Sequence, residues 1–306
     1  MRVVSLLASG TEIVCALGAG DMLVGRSHEC DNPAWVRALP TCTRPAFDIT
    51  LSSRAIDAEV RRRLAAREPL YHVDADLIRR LEPDRLITQI HCEVCAVTPD
   101  DVARAGCATL TGQVVALSAG SVAGIYDGIR SVANAMRRPA EGDAFIVGMQ
   151  TRIDAVNAAV RDRQRPTVVL LEWTEPIFSA GNWAPELIDA AGGQPLLSEP
   201  ARHSEAIPWQ RVLDADPDVL IVAPCGFNLA RTLQEVPVLE GLPHWFELTA
   251  VKKGRVAFAD GNKYFNRSGT TIVETVEILA EILHDIRLTQ SWHGEAWCQG
   301  STTSAT

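Results

Sequence analysis

Short apolar runs alternate with amphipathic stretches along most of the chain. The strand-like runs include VVSLLAS (3–9), MLVGRS (22–27), DRLITQI (84–90), TVVLLEW (167–173), VLIVAP (219–224) and RVAFAD (255–260). Between them lie stretches whose apolar residues recur three and four positions apart, which is typical of one face of a helix. These stretches include TEIVCALGAG (11–20), IDAEVRRRLAA (56–66), APELIDAAGG (184–193) and TIVETVEILAEILHDI (271–286). Strands that alternate with helices predict an α/β fold with parallel, doubly wound sheets.

The centre of the chain lacks strand-like alternation. Residues 121–139 and 141–164 both have helical spacing, and together they predict one long helix with a kink at Pro139. A helix of about 40 residues would span about 60 Å, which is more than one small domain needs. We therefore predict a Rossmann-like lobe over 1–120, a linking helix over 121–165, a second lobe over 166–288 and a flexible tail over 289–306.

The two predicted lobes resemble each other in sequence. TEIVCALGAG in the first is similar to PELIDAAGG in the second, and LEPDRLIT (81–88) is similar to ADPDVLIV (215–222). Both pairs occur in the same order beside an apolar strand, which favours a duplicated α/β domain. Ligands of doubly wound sheets bind outside the carboxyl ends of the strands. The sequence therefore predicts a ligand cleft between the two lobes.

Composition narrows the function classes. The chain has 306 residues, 47% apolar and 22% charged, with a net charge of −9, which argues against a nucleic-acid partner. It contains no run of about 18 apolar residues, so no membrane insertion is expected. The first apolar run breaks at Ser9-Gly10-Thr11 and does not resemble a secretory signal. This predicts a cytoplasmic protein, or a periplasmic one if a leader has been removed.

Histidine, cysteine, tryptophan and asparagine are concentrated where the predicted strands end. Functional residues usually lie on such loops, and tryptophan and cysteine are unusual as loop filler. Trp183 lies just before a predicted helix start and is expected to face the ligand. We predict ligand contacts from Ser9, Thr11, His28, Glu29, Gln89, His91, Trp173, Trp183, Phe227, Tyr264 and Asn266.

The segment HCEVC (91–95) has the C-x-x-C spacing of metal and redox sites. Structural zinc usually needs two ligand pairs, so this loop alone would leave an ion short of ligands. A composite zinc or iron–sulfur site would use Cys30, Cys92, Cys95 and Cys225, with His28 or His91. A thioredoxin-type role needs the motif at a helix N-terminus, and the next helix is expected one turn later. The alternative is that these thiols only line the ligand pocket.

Several strand-end segments resemble one protein family. RSHECDNP, TQIHCEVCAV, GNWAPELIDAAGG, VAPCGF and DGNKYFNRSG, spread over residues 1–287, are similar to the cobalamin-binding branch of the type III periplasmic binding proteins. These proteins are the helical-backbone, substrate-binding components of ABC importers for vitamin B12 and iron chelates. The resemblance implies two lobes on a backbone helix and a corrinoid, or a similar metal chelate, as the small-molecule ligand.

The resemblance also implies a membrane partner. Members of the family dock on an ABC permease through an acidic residue on each lobe. The equivalent positions fall near Asp76 in the first lobe and Gln210 in the second. The neutral residue and the missing leader argue against coupling to import.

Two functions follow from the sequence. The leading hypothesis is a substrate-binding protein that clamps a cobalamin-like corrinoid or a similar metal chelate between two lobes, as a cytosolic variant not coupled to import. The alternative is a metalloprotein or enzyme that holds zinc or an iron–sulfur cluster with the cleft cysteines and histidines. No catalytic residues are predicted, because no Ser-His-Asp order, Walker loop or G-x-G-x-x-G context occurs.

Overall fold

The chain divides into two units in its computed structural model, which describes residues 1–90, 94, 96–107 and 114–300. The first unit is Met1–Gly148 and the second is Met149–Thr306. None of the described helices is long and apolar enough to cross a membrane.

The first unit is built on a parallel sheet. Its strands and helices are β1 (Val3–Ser5), α1 (Ala8–Ala16), β2 (Leu23–Arg26), β3 (Thr43–Pro45), α2 (Ser53–Ala66), β4 (Tyr71–Val73), α3 (Ala75–Leu81), β5 (Arg85–Gln89), α4 (Pro99–Val102), β6 (Val114–Leu117) and α5 (Val122–Ala135). The sheet order is β2-β1-β5-β6, and each neighbouring pair is parallel. β3 and β4 form a separate antiparallel ribbon. The carboxyl ends of the four parallel strands therefore lie along one edge of the sheet.

Side-chain caps fix several helix starts in the first unit. Ser52, Asp74 and Ser121 each accept a hydrogen bond from the first turn of the helix that follows. Thr98 forms a capping box with Asp101 at the start of α4. These caps satisfy N–H groups that have no partner within the helix. The helix that the sequence predicts about one turn after HCEVC therefore begins after Thr98.

The second unit is built on a mixed sheet. Its elements are α6 (Pro139–Val160, which begins in the first unit), β7 (Thr167–Thr174), β8 (Ile177–Ser179), α7 (Ala184–Ala190), β9 (Gln194–Pro195), β10 (Glu205–Ala206), α8 (Trp209–Ala215), β11 (Val219–Val222), α9 (Leu229–Thr232), α10 (Val236–Glu240), α11 (Thr249–Lys252), β12 (Val256–Ala259), α12 (Ile272–His284) and β13 (Trp297–Gln299). The sheet order is β10-β8-β7-β11-β12-β13, and β9 pairs with β7. β7, β11 and β12 are parallel neighbours. β11 and β12 are buried throughout, and β7 is buried over residues 168–171, which explains the continuous apolar runs at these positions.

The predicted central helix is two helices. α5 ends at Ala135, and α6 begins at Pro139. Arg137 has a left-handed φ of 60°, and the main-chain N–H of Arg138 donates to Ala133 O at 2.8 Å, which closes the end of α5. Pro139 is tolerated as the first residue of a helix because its missing N–H would have no helical partner there. The prediction of one helix kinked at Pro139 is therefore wrong.

The predicted flexible tail is also wrong for residues 289–300. β13 pairs antiparallel with β12, and Trp292 and Ala296 are buried. Antiparallel edge strands are common on otherwise parallel sheets. The predicted fold class itself, α/β with two doubly wound units, is confirmed.

Candidate functional site

In the first unit, His28 lies just beyond the carboxyl end of β2. Its ring Nδ1 is 2.7 Å from the hydroxyl oxygen of Thr43, and its main-chain N–H donates to the same oxygen at 3.1 Å. Thr43 is buried on β3, and its hydroxyl oxygen is 3.2 Å from that of Ser27. Both the backbone and the ring of His28 are thus held by one buried side chain.

Tyr71 on β4 packs beside this imidazole. The two ring centroids are 5.5 Å apart, and the Tyr71 hydroxyl donates to the main-chain oxygen of Val94 at 2.6 Å. Val94 belongs to HCEVC, and its side chain is exposed. His91, Cys92 and Cys95 lie outside the described residues, so their predicted roles stay predictions.

The electrostatic environment keeps His28 neutral. Burial, together with the smaller effect of the positive charge of Arg26, lowers the pKa of His28 to about 4. An imidazole with this pKa carries no charge at neutral pH, so it can accept a hydrogen bond or bind a metal.

Three other predicted ligand residues of the first unit are buried: Ser9, Thr11 and Gln89. Ser9 and Thr11 lie inside α1 and are buried, because the helix begins at Ala8 rather than after Gly10. The Thr11 hydroxyl donates to the Cys30 sulfur at 3.0 Å, and Cys30 is buried as well. The Gln89 side-chain amide donates to Ala96 O at 3.0 Å and is buried. These contacts position the strand-end segments.

Glu29 follows His28 and is half-buried. Its main-chain N–H donates to the Ser27 hydroxyl oxygen at 3.3 Å. The 27–29 segment is therefore tied both to its own side chains and to β3. Its predicted ligand contact stays a prediction.

In the second unit, an aromatic and cationic stack lies where β7 and β11 end. The rings of Trp173 and Phe227 have centroids 5.1 Å apart. The guanidinium carbon of Arg231 lies 4.0 Å from the centroid of the Phe227 ring, within the range of a cation–π interaction. Phe227 is buried between its neighbours, whereas Trp173 is partly exposed. Trp173 therefore offers the aromatic surface that a ligand can touch.

A buried carboxylate fixes this stack. Glu235 is 2% exposed. It accepts from the Arg231 guanidinium at 2.5 Å and from the Thr174 hydroxyl. A buried charge is stable only when it is paired and hydrogen-bonded, and both conditions are met here. Glu235 thus holds Arg231 and the end of β7 in place.

The remaining second-unit candidates mainly make structural contacts. Tyr264 is buried, and its ring contacts Trp292 at 5.6 Å between centroids. The Asn266 amide donates to Ala223 O at 2.8 Å, which ties the turn after β12 to the end of β11. Trp183 is 8% exposed and directly precedes α7. The sequence predicts that Trp183 faces the ligand; its side chain is mostly buried, and its ligand contact stays a prediction.

The described residues contain no group of three His, Cys, Asp or Glu side chains placed to hold a metal ion. Cys225 is half-buried after β11, and its main-chain N–H donates to Glu172 O at 2.9 Å. Two of the four predicted cysteine ligands, Cys92 and Cys95, lie outside the described part of the chain. The predicted metal site stays a prediction.

Sequence reasoning missed four residues that shape these surfaces. Arg231 and Glu235 are four positions apart, a spacing typical of helical ion pairs, so that pair was detectable. Thr43 and Tyr71 come from a ribbon of three-residue strands. Such strands are too short for a reliable periodic pattern.

The comparisons with known proteins identify the family. Residues 3–262 match the family described as periplasmic binding protein. The match covers well over half of the chain, so the chain belongs to this family of substrate-binding proteins. Among curated proteins there is no match.

Solved structures share the fold. A periplasmic heme-binding protein from Pseudomonas aeruginosa is 18% identical, covers 99% of both chains and has a TM-score of 0.73. The periplasmic heme-binding protein RhuT from Roseiflexus sp. RS-1 is 24% identical over 93% of this chain and 98% of its own, with a TM-score of 0.67. The periplasmic vitamin B12-binding protein BtuF of Vibrio cholerae is 18% identical over 92% and 96%, with a TM-score of 0.65.

Proposed function

We propose that the protein binds a corrinoid, or another large planar metal chelate, at the carboxyl ends of its parallel strands. The observation that carries this proposal is the partly exposed indole of Trp173, packed on Phe227 and held by Arg231 at the ends of β7 and β11. A rigid aromatic face suits a flat ligand, because apolar contact over a large area supplies most of the binding free energy.

The first unit offers a second surface of suitable chemistry. Ile90, directly after β5, is 59% exposed, and Val94 is 37% exposed. His28 and Tyr71 are half-buried, and Tyr71 is hydrogen-bonded to Val94. Exposed apolar side chains beside a few placed polar groups are typical of a small-molecule site.

The named ligands of structurally similar proteins support the proposed class. Two of those described above are named for heme and one for vitamin B12, and both ligands are metal complexes of large tetrapyrrole-type rings. Their sequence identities to this chain are all below 25%. At this level the similarity shows the fold alone, so the ligand of this chain is a proposal.

An importer permease is the proposed macromolecular partner. Asp76 is exposed on α3, where it pairs with Arg79. Gln210 on α8 donates to Asp214 at 2.8 Å, and Asp214 is exposed one helical turn further along. The exposed carboxylate of Asp214 therefore lies beside Gln210, the neutral residue that argued against docking on a permease.

Calorimetric titration tests the proposed ligand class. Purified protein would be titrated with cobalamin, cobinamide, ferric heme and zinc chloride. We expect saturable binding of at least one of the three chelates and none of zinc alone. Binding of zinc but of no chelate would instead support the metalloprotein hypothesis.

Trp173 provides the sharpest variant for this surface. Trp173→Ala is expected to weaken binding of the chelate by about 1–3 kcal/mol, because one large aromatic contact is lost. This corresponds to a rise in Kd of about 5- to 150-fold. Phe246→Ala is the matched control, since Phe246 is 46% exposed but lies on the turn before α11. Equal affinities for wild type and Trp173→Ala would remove Trp173 from the site.

A further inference from the structure

A groove lies at the amino ends of the parallel strands of the second unit. It is lined where β7, β11 and β12 begin, by Pro166, Val219 and Val256, and by the last turn of α12. Its volume is about 850 Å³, which is within the range of about 300–1,000 Å³ for small-molecule sites. The proposed chelate site lies at the carboxyl ends of the same strands, so this amino-edge groove is a separate surface.

Three cationic side chains line the amino-edge groove: Arg163, Lys253 and Arg255. One carboxylate, that of Asp218, lines it beside them and is 3.8 Å from Lys253 Nζ. The same carboxylate accepts hydrogen bonds from the main-chain N–H and the hydroxyl of Thr167, at 3.0 and 2.9 Å. Asp218 is therefore held by the start of β7 and balances only one of the three cations.

The other carboxylates of the groove are already paired. The Glu281 side chain is 1% exposed and lies 3.0 Å from Arg287 Nε, and Asp285 is 2.7 Å from a terminal nitrogen of Arg287. The side chains that face a ligand are therefore mainly cationic, although the chain has a net charge of −9. A concave surface with an excess of one charge attracts ligands of the opposite charge.

Arg163 and Arg255 converge on the end of α12. A terminal nitrogen of Arg255 donates to Leu283 O at 2.9 Å, which caps the last turn of this helix. The bond uses one of the five N–H donors of the guanidinium and fixes its position. Burial lowers the pKa of His284, the last residue of α12, and the positive charges of Arg163 and Arg255 act on it in the same direction. Both guanidinium groups therefore lie near one imidazole.

An aromatic pair forms another part of the lining. The rings of His293 and Trp297 have centroids 4.9 Å apart and meet edge to face at 82°. Trp297 Nε1 donates to Glu281 at 3.2 Å, which fixes the orientation of the indole. The indole is half-buried and His293 is exposed. Because aromatic side chains pack against flat rings, the groove combines a cationic surface with an aromatic one.

We propose that the amino-edge groove binds a small organic anion in which a flat ring carries a carboxylate or a phosphate group. Arg163 and Arg255 bind the acidic group, because a guanidinium matches the oxygens of a carboxylate or phosphate with two parallel hydrogen bonds. Trp297 and His293 contact the ring. This binding is independent of the proposed chelate site.

Calorimetric titration with four probes tests the ligand class. Adenosine monophosphate and salicylate each join a flat ring to an acidic group, whereas adenosine lacks the acid and inorganic phosphate lacks the ring. We expect saturable binding of adenosine monophosphate or salicylate, at least tenfold tighter than that of adenosine and of phosphate, and weaker at high salt. Whichever of the two binds more tightly distinguishes a phosphate from a carboxylate ligand. No saturable binding of either up to about 10 mM, or affinity equal to that of adenosine or of phosphate, would overturn the proposal.

Charge-removing variants assign the binding to the arginines. Arg163→Gln should weaken binding of the anion at least fivefold, and it should not affect folding because Arg163 is exposed on the turn after α6. Arg255→Gln should weaken binding as well, and its melting temperature would show whether the loss of the α12 cap matters. Arg130→Gln is the matched control, since Arg130 is an exposed arginine of the first unit. Unchanged affinity in the folded Arg163→Gln and Arg255→Gln proteins would contradict the proposed contacts.

Hydrogen exchange locates the bound anion. A saturating concentration of the tighter probe should protect residues 163–166, 253–256 and 283–287 and leave residues 172–175 and 223–231 unchanged. Chelate affinity should be the same in Arg163→Gln as in wild type, so failure of one site leaves the other standing. Protection by the anion at residues 172–175 and 223–231 instead would place it in the chelate site and overturn the amino-edge site.

Discussion

Replacing Glu281 by alanine is expected to destabilise the second unit by about 2–5 kcal/mol. The Glu281 side chain is 1% exposed at the end of α12. It accepts hydrogen bonds from Ser291 Oγ and Trp292 N at 2.7 Å each, from Arg287 Nε at 3.0 Å and from Trp297 Nε1 at 3.2 Å. Alanine would leave the buried donors among these without an acceptor.

The loss of stability in Glu281→Ala should be concentrated in the C-terminal segment that follows α12. Every donor to Glu281 named above lies between residues 287 and 297, and Trp297 begins β13. Urea unfolding would measure the free-energy change, and amide exchange of residues 292–299 would locate it. Glu199→Ala, at an exposed ion pair with Arg202, is the control and should leave the midpoint nearly unchanged. A Glu281→Ala midpoint equal to that of wild type would contradict this account of the tail.

The same carboxylate predicts a pH dependence. Burial opposes ionisation, but hydrogen bonds from Ser291, Trp292, Trp297 and Arg287 outweigh it and lower the pKa of Glu281 below the ordinary value of 4.5. This stabilisation is therefore fully present above pH 4.5 and is lost as the pH falls through the lower folded-state pKa. In urea unfolding between pH 7 and pH 3, Glu281→Gln should lose less stability on acidification than wild type does.

Gly261→Ala is expected to destabilise the second unit by about 3 kcal/mol or more. A Cβ atom at Gly261 would lie 2.1 Å from Pro224 O and 2.7 Å from Ala223 O. Both oxygens belong to the backbone, so the end of β11 and the π-helical turn Gly261–Phe265 would have to separate. Binding should weaken too, because the N–H of Asn262 donates to Phe227 O at 3.0 Å within the proposed site.

Gly148→Ala is the matched control for this substitution. Gly148 is an exposed residue of α6, and a Cβ there would meet nothing within 4 Å. Alanine should stabilise the helix by up to about 1 kcal/mol, since glycine is the poorer helix former. Thermal and urea unfolding would compare the two variants. A Gly261→Ala protein as stable as wild type would show that the strand ends are less tightly packed than the structure indicates.

The fold was predictable because its central strands, such as β1, β11 and β12, are fully buried. Runs such as VLIV at β11 must be apolar throughout to lie between helices on both faces. The break between α5 and α6 was harder to predict, because a proline is compatible with both a kink and a new helix start. The ordered tail could not be predicted, since its anchor is Glu281 and a polar residue reveals its buried partners only in three dimensions.

The candidate site was predictable to the level of loops but not of side-chain roles. The rule that parallel strands present ligands at their carboxyl ends found His28, Trp173 and Phe227. It also selected Ser9 and Tyr264, which are buried, because sequence position does not say which way a side chain points. Thr43 was missed because its contact with His28 joins residues 15 positions apart on separate elements.

Hydrogen exchange with and without saturating chelate tests the central claim most directly. The probe would be whichever of cobinamide and ferric heme binds more tightly. We predict that protection on binding is concentrated at the strand ends, in residues 27–30, 172–175 and 223–231. Protection confined to the opposite edge of the second sheet, at residues 163–166 and 253–256, or no protection at saturation, would contradict a binding site at the carboxyl ends of the strands.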